Sequence, residues 1–193
     1  MSRDFLHHRA IWKDKIAIVT GAGRGIGLQT ALMLSRLGVT IAAVGRQPLP
    51  LTTLVERIQN EGGQAISIPC DLQNVSDIQN MVTLVYTTFG RIDILINNAG
   101  IDIPQPALDV SERNWTTIID TNLKGMFFCA QHVGRYMVSQ GGGTIVNMAS
   151  ELSYVGAPGY VAYSISKAGV AQMTRSLAAE WAPFHIRVNA LAP

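Results

Sequence analysis

The sequence predicts an α/β fold, a doubly wound parallel sheet with helical layers on both faces (a three-layer αβα arrangement). Two observations carry that expectation. Short, almost uninterrupted apolar runs alternate with longer stretches of helical periodicity, and a glycine-rich segment lies directly between the first run and the first helical stretch. Alternation of this kind implies parallel strands joined by right-handed crossovers. Six runs match the strand order 3-2-1-4-5-6.

The strands are expected at 15–20 (KIAIVT), 39–44 (VTIAAV), 64–69 (QAISIP), 92–97 (IDILIN), 143–148 (GTIVNM) and 185–190 (HIRVNA). Each is apolar nearly throughout, the pattern of a strand covered on both faces. Helices are expected at 25–37, 50–61, 75–89, 111–139 and 159–183. No internal repeat interrupts the series, so residues 1–193 read as one domain behind a leader of about a dozen residues, 1–13.

Composition narrows the function classes. Hydrophobic residues make up 48% of the 193 and charged residues 15%, which suits a buried sheet and argues against disorder. A net charge of +2 is too small to point to nucleic acid or a membrane surface. Cys70 and Cys129 have no CxxC neighbour and read as two reduced core thiols. The histidines, His7, His8, His132 and His185, lack metal-ligand spacing, so no metal is expected. The leader is too polar for a signal peptide and no run is long enough to span a bilayer, so a cytoplasmic protein is expected.

Ligands bind such sheets beyond the carboxyl ends of the strands. Thr20–Gly27 (TGAGRGIG) follow the first run, Gly45-Arg46 the second, Cys70-Asp71-Leu72 the third, Asn97–Gly100 (NNAG) the fourth and Ala149-Ser150 the fifth. Glycines after the first strand permit a tight turn and let backbone N–H groups approach a pyrophosphate, work assigned to Gly21, Gly25 and Gly27. An acidic residue at the end of the second strand would accept the ribose hydroxyls of NAD. Gly45 and Arg46 stand there instead. A guanidinium suits a 2′-phosphate, and Arg24 could add a second positive charge, so NADP is expected ahead of NAD.

Tyr163 and Lys167 lie one helical turn apart and share a face. A free tyrosine titrates near 10, and a neighbouring ammonium favours the phenolate, so such a pair could exchange a proton with a carbonyl or alcohol oxygen. Ser150, at the end of the fifth strand, could orient and polarise that oxygen. The neighbouring Ser153, Ser164 and Ser166 read as turn or helix-surface residues. Asn122 stands inside an expected helix that does not favour asparagine, where it could face solvent or disturb the ladder and hold a water.

TGAGRGIG (20–27), NNAG (97–100), Asn122, Ser150, YSISK (163–167) and RVNALAP (187–193) fall in order along nearly the whole chain. With them the chain resembles the short-chain dehydrogenase/reductase family, and within it the 3-oxoacyl-carrier-protein reductase and sugar-alcohol dehydrogenase branch. The resemblance implies a Rossmann-type fold and a tetrad of Asn122, Ser150, Tyr163 and Lys167. In the family's scheme the Asn main chain holds a water that links Lys to solvent, and Lys also bonds the nicotinamide ribose. Asp71 is implied at the adenine, with Asn98 and Ala99 along the adenosine ribose. The residues expected to contact the dinucleotide are Gly21, Arg24, Gly25, Ile26, Gly27, Arg46, Asp71, Leu72, Asn98, Ala99, Gly100, Tyr163, Lys167 and Pro193. The two helices at 111–139 and 159–183 are implied to pack against their copies in a homodimer or homotetramer.

The family pattern continues beyond Pro193 with a substrate loop, a helix pair and a seventh strand. The sequence is therefore expected to lack the last family strand and much of the substrate pocket, and to leave its sixth strand as an exposed apolar edge prone to association. Two functional readings stand: an oxidoreductase moving hydride between NADP(H) or NAD(H) and a carbonyl or secondary alcohol, with Tyr163 as acid/base, or a non-catalytic nucleotide-binding member of the same fold. A methyltransferase on a similar sheet would not need Ser150, Tyr163 and Lys167 at these spacings.

Overall fold

A computed structural model describes residues 11–193. His7, His8 and most of the expected leader lie outside the described residues, whereas Trp12 packs onto the core. Six strands, β1 (Ile16–Thr20), β2 (Thr40–Gly45), β3 (Ala65–Pro69), β4 (Ile94–Asn97), β5 (Gly143–Met148) and β6 (Ile186–Leu191), form one sheet in the order β3-β2-β1-β4-β5-β6. Every neighbouring pair is parallel. The expected order is thus observed, with each strand within a residue or two of its expected bounds.

The period-2 alternation of a strand builds a core on each face from the same residues. In β1, Ile16 and Ile18 enter one core while Ala17 and Val19 enter the other. The first core is closed by α3 (Val75–Phe89) with Ile78, Met81, Val82 and Val85, and by α5 (Gly125–Ser139) with Cys129, Val133 and Met137. Leu177 of α6 (Val161–Trp181) joins it. The second is closed by α1 (Gly25–Arg36) with Ala31 and Leu32, and α2 (Pro48–Asn60) with Leu51, Leu54 and Ile58. Helices on both faces make the three layers.

Two expectations need correction. The outer strands are not apolar throughout. In β6, Ile186 and Val188 are buried while Arg187 and Asn189 are exposed, and in β3 Ser67 and Pro69 are exposed. α6 covers one face of β6, so only alternate residues meet a core, and its edge is less apolar than expected. The single helix expected at 111–139 is instead α4 (Glu112–Ile119), a π-helical turn (Asp120–Lys124) and α5. The turn is marked by the Gly125 N–H donating to the Asp120 carbonyl, five residues back rather than four.

At the sheet's amino edge, Asp93 is buried and ties β4 to β1 by accepting from the Ile16 amide at 3.0 Å. Arg91 Nε donates to it at 2.8 Å and Lys15 Nζ at 3.1 Å. Burial pushes its carboxyl up, but hydrogen bonds from Arg91, the Ile16 amide and Lys15 outweigh that and hold it below the usual carboxylate range. This cluster leaves the opposite, carboxyl edge free for chemistry.

Candidate active site

The glycine turn is built by close approach. Gly21 has φ +66°, and a Cβ there would lie 2.8 Å from Asn98 Nδ2 and 2.9 Å from Ala99 Cα. A Cβ on Gly27 would collide with the Gly21 carbonyl oxygen, so α1 packs directly on the turn it follows. Thr20 fastens the turn to the end of β4. Its hydroxyl accepts from the Asn98 and Ala99 amides at 3.0 and 3.1 Å and donates to the Ile96 carbonyl at 3.3 Å. Asn98 Nδ2 returns a bond to the Thr20 carbonyl at 3.0 Å.

The turn borders a crevice of about 740 Å³ along the carboxyl edge of β1, β2, β3 and β4. Of the expected dinucleotide contacts, Gly21, Arg24, Gly25, Ile26, Arg46, Asp71, Leu72, Asn98, Ala99 and Gly100 line it. Gly27 lies just behind it, under Gly21. The residues fit a dinucleotide. Gly25 is the first residue of α1, with open space where a Cβ would be, and no acidic side chain stands in that helix's first turn to repel a phosphate. Val44, Pro50, Leu51 and Ile101 also line the crevice, and no spacing marked them in advance. Pro193 is not among the lining residues. Its carbonyl accepts from the Glu151 amide at 3.4 Å, beside Ser150.

Beyond Gly100 lie the expected reacting groups. Lys167 is 3% exposed, and its Nζ donates to the Met148 carbonyl at 2.6 Å. It stands 5.6 Å from the centroid of the Tyr163 ring and 3.5 Å from where a Gly100 Cβ would be, so the ammonium sits directly beside Gly100. Burial lowers the Lys167 pKa from 10.5 to about 8. Ser150, 8% exposed, ends the segment after β5 and caps a short 3₁₀ turn, Glu151–Ser153.

Asn122 falls in the π turn and is fully buried. Its Oδ1 accepts from the Ile101 amide and its Nδ2 donates to the Ile101 carbonyl, both at 2.8 Å. The side chain therefore does not face solvent. It binds the π turn to the segment after NNAG. Nδ2 also donates to Ser166 Oγ at 3.1 Å, and Ser166 donates to the Tyr163 carbonyl at 2.6 Å. Ser166, expected on the helix surface, is fully buried between Asn122 and Tyr163. Ser153 likewise bonds Ser150. Both were invisible because helical spacing gives a residue's face, not which element covers it.

Cys70 lines the crevice wall and Cys129 is buried in α5; both are free. Burial pushes the Cys70 thiol up to about 12 and Cys129 higher still, so neither is a nucleophile at neutral pH. Among the described residues no group of three or more His, Cys, Asp or Glu could hold a metal, and no helix is long and apolar enough to cross a membrane.

This arrangement coincides with a known family: the short chain dehydrogenase family model matches residues 15–193. The chain is a short-chain dehydrogenase. It is 38% identical over 182 residues to the 2-dehydro-3-deoxy-D-gluconate 5-dehydrogenase of Escherichia coli K12, covering 94% of this chain and 71% of that protein. With the 3-oxoacyl-(acyl-carrier-protein) reductase of Synechocystis sp. it shares 36% over 180 residues, covering 93% and 73%. A short-chain type dehydrogenase/reductase from Mycobacterium marinum superposes with a TM-score of 0.93 at 35% identity, covering 98% of this chain and 75% of that one. This short-chain dehydrogenase is therefore an NAD(P)-dependent oxidoreductase of alcohols and carbonyls, with a Rossmann-type fold.

Proposed function

We propose that this short-chain dehydrogenase interconverts a ketone and a secondary alcohol with NADP(H) in preference to NAD(H), and that Tyr163 carries the proton. The observation that carries the reading is the buried Lys167 ammonium beside the Tyr163 ring, next to Gly100 at the end of the crevice. The nicotinamide, when bound, supplies or accepts the hydride. In reduction, Ser150 donates a hydrogen bond to the substrate carbonyl oxygen, and Tyr163 gives that oxygen its phenolic proton. Lys167 holds the ribose hydroxyls and stabilises the charge left on the phenol. Asn122, clamped to Ile101, holds the π turn so that its main chain can bind the water that returns a proton to Lys167. Oxidation runs the same steps in reverse. Tyr163→Phe is expected to lower kcat at least ~1,000-fold while the Kd for NADPH, by fluorescence titration, changes less than about threefold. Retained turnover would remove Tyr163 from this role.

The NADP preference is supported by Arg46 and Arg24, both exposed at the crevice, and by Gly45 where a carboxylate would select NAD. Arg46→Ala is expected to lower kcat/KM for NADPH about 10-fold and leave NADH within about twofold. A wild-type preference for NADH would overturn it.

A second copy of the chain covers the groove of about 540 Å³ between α6 and the α4–α5 segment. Ile119, Leu123, Phe127, Met173 and Leu177 line it, and Lys124 and Glu180 give its edge opposite charges, a self-complementary pattern. The two free, buried thiols support a reducing, cytoplasmic setting.

A further inference from the structure

We propose that Ser153 is a positioning residue for the Ser150 hydroxyl, holding it as a pure hydrogen-bond donor toward the substrate oxygen; the inference rests on the reading of Ser150 given above. The two serines form a reciprocal pair across one 3₁₀ turn. Ser150 Oγ accepts from the Leu152 amide at 3.3 Å and from the Ser153 amide, while Ser153 Oγ accepts from the Ser150 amide at 3.2 Å. The Ser153 amide also donates to the Ser150 carbonyl at 3.0 Å.

A serine hydroxyl has one proton and two acceptor lone pairs. Both lone pairs of Ser150 face backbone N–H groups, and among the described residues no protein acceptor takes its proton. The O–H is therefore left for a ligand. Rotation about Cα–Cβ would break the two amide contacts together, and the Ser153 side chain resists the backbone movement that would allow it. A donor whose direction is set before the substrate arrives stabilises negative charge on oxygen without reorganising during the reaction. Ser150 itself is extended, with φ −159°, so an unstrained backbone supports the arrangement. The same capping role keeps Ser153 from contacting substrate, because its oxygen is turned back onto the Ser150 amide.

The test is a cycle of Ser153→Ala, Ser150→Ala and the double variant, measured as NADPH turnover with the fastest ketone from a panel of aliphatic, cyclic and hydroxy-ketones. Ser153→Ala is expected to lower kcat roughly three- to tenfold, with the KM for NADPH unchanged and the thermal midpoint lowered by about 2–4 °C. In the Ser150→Ala background the same change should cost nothing further. Ser153→Thr, which keeps the oxygen, should restore most of the rate. Amide hydrogen exchange at Ser150 should quicken about tenfold or more in Ser153→Ala and return to the wild-type rate in Ser153→Thr. Wild-type kcat in Ser153→Ala overturns the proposal, and so does an equal loss in both backgrounds. Full activity of Ser150→Ala, or no wild-type turnover on any ketone of the panel, overturns the reading of Ser150 beneath it.

Discussion

Lys167 is held in a position that costs stability. A 3% exposed ammonium with a carbonyl partner and, among the described residues, no carboxylate gives up hydration that one 2.6 Å bond does not replace. The fall from 10.5 to about 8 corresponds to roughly 3 kcal/mol. Because the folded-state value lies below that of the unfolded chain, unfolding takes up a proton between those values. Wild-type stability relative to an uncharged variant thus rises as pH climbs from about 8 to 10.5, and below about 8 the full cost is present. Lys167→Met is expected to be about 1–3 kcal/mol more stable than wild type in urea at pH 7, with the gap closing by pH 10.5, and to lose turnover. A less stable Met variant at pH 7 would show that the Met148 bond outweighs the burial. Stability given up at Lys167 is the trade expected if it serves the proposed reaction.

At the scale of elements, the two edges of the sheet divide the labour. The amino edge is locked by Asp93, which joins β1 and β4 through the Ile16 amide with Arg91 and Lys15 beside it. Its lowered carboxyl pKa means stability that is present above the unfolded value of about 3.9 and lost as pH falls through the folded one. Asp93→Asn should lower unfolding free energy by about 1–2 kcal/mol at pH 7 and flatten the acid limb of stability, leaving the Kd for NADPH unchanged. A shifted Kd would mean that strain at one edge reaches the other. The carboxyl edge is instead organised by bonds between loops: Thr20 to the NNAG segment, Asn122 to Ile101, and Gln73 Nε2 donating to Thr121 Oγ1 at 3.1 Å. The last ties the segment after β3 to the π turn. Helical periodicity could not reveal that turn. The change of ladder accompanies the bonds of Asn122 to Ile101, a partner from another segment that local periodicity does not contain.

For the whole molecule, the proposed second copy is tested at the groove between α6 and the α4–α5 segment. Ser176 lines it and is exposed, so a large charged group there blocks a second copy without entering the core. Ser176→Arg should shift sedimentation velocity toward monomer at micromolar concentration, with the unfolding free energy of the monomer changed by less than about 0.5 kcal/mol. A wild-type chain that is already monomeric would remove the second copy from this groove.

What the amino-acid order determined by itself was everything carried by local pattern. Apolar runs and helical spacing specify strands, helices and the doubly wound sheet, because burial on two faces selects residues at fixed periods. Motif spacing likewise brought Gly21, Ser150, Tyr163 and Lys167 to one edge, since the carboxyl ends of parallel strands all face the same way. Only the tertiary structure decided which polar groups meet. The burial of Ser166, the clamp of Asn122 on Ile101, the Ser150–Ser153 reciprocity and the exposed alternate residues of β6 depend on what packs against each element. That is a relation between distant residues, and no window of sequence contains it.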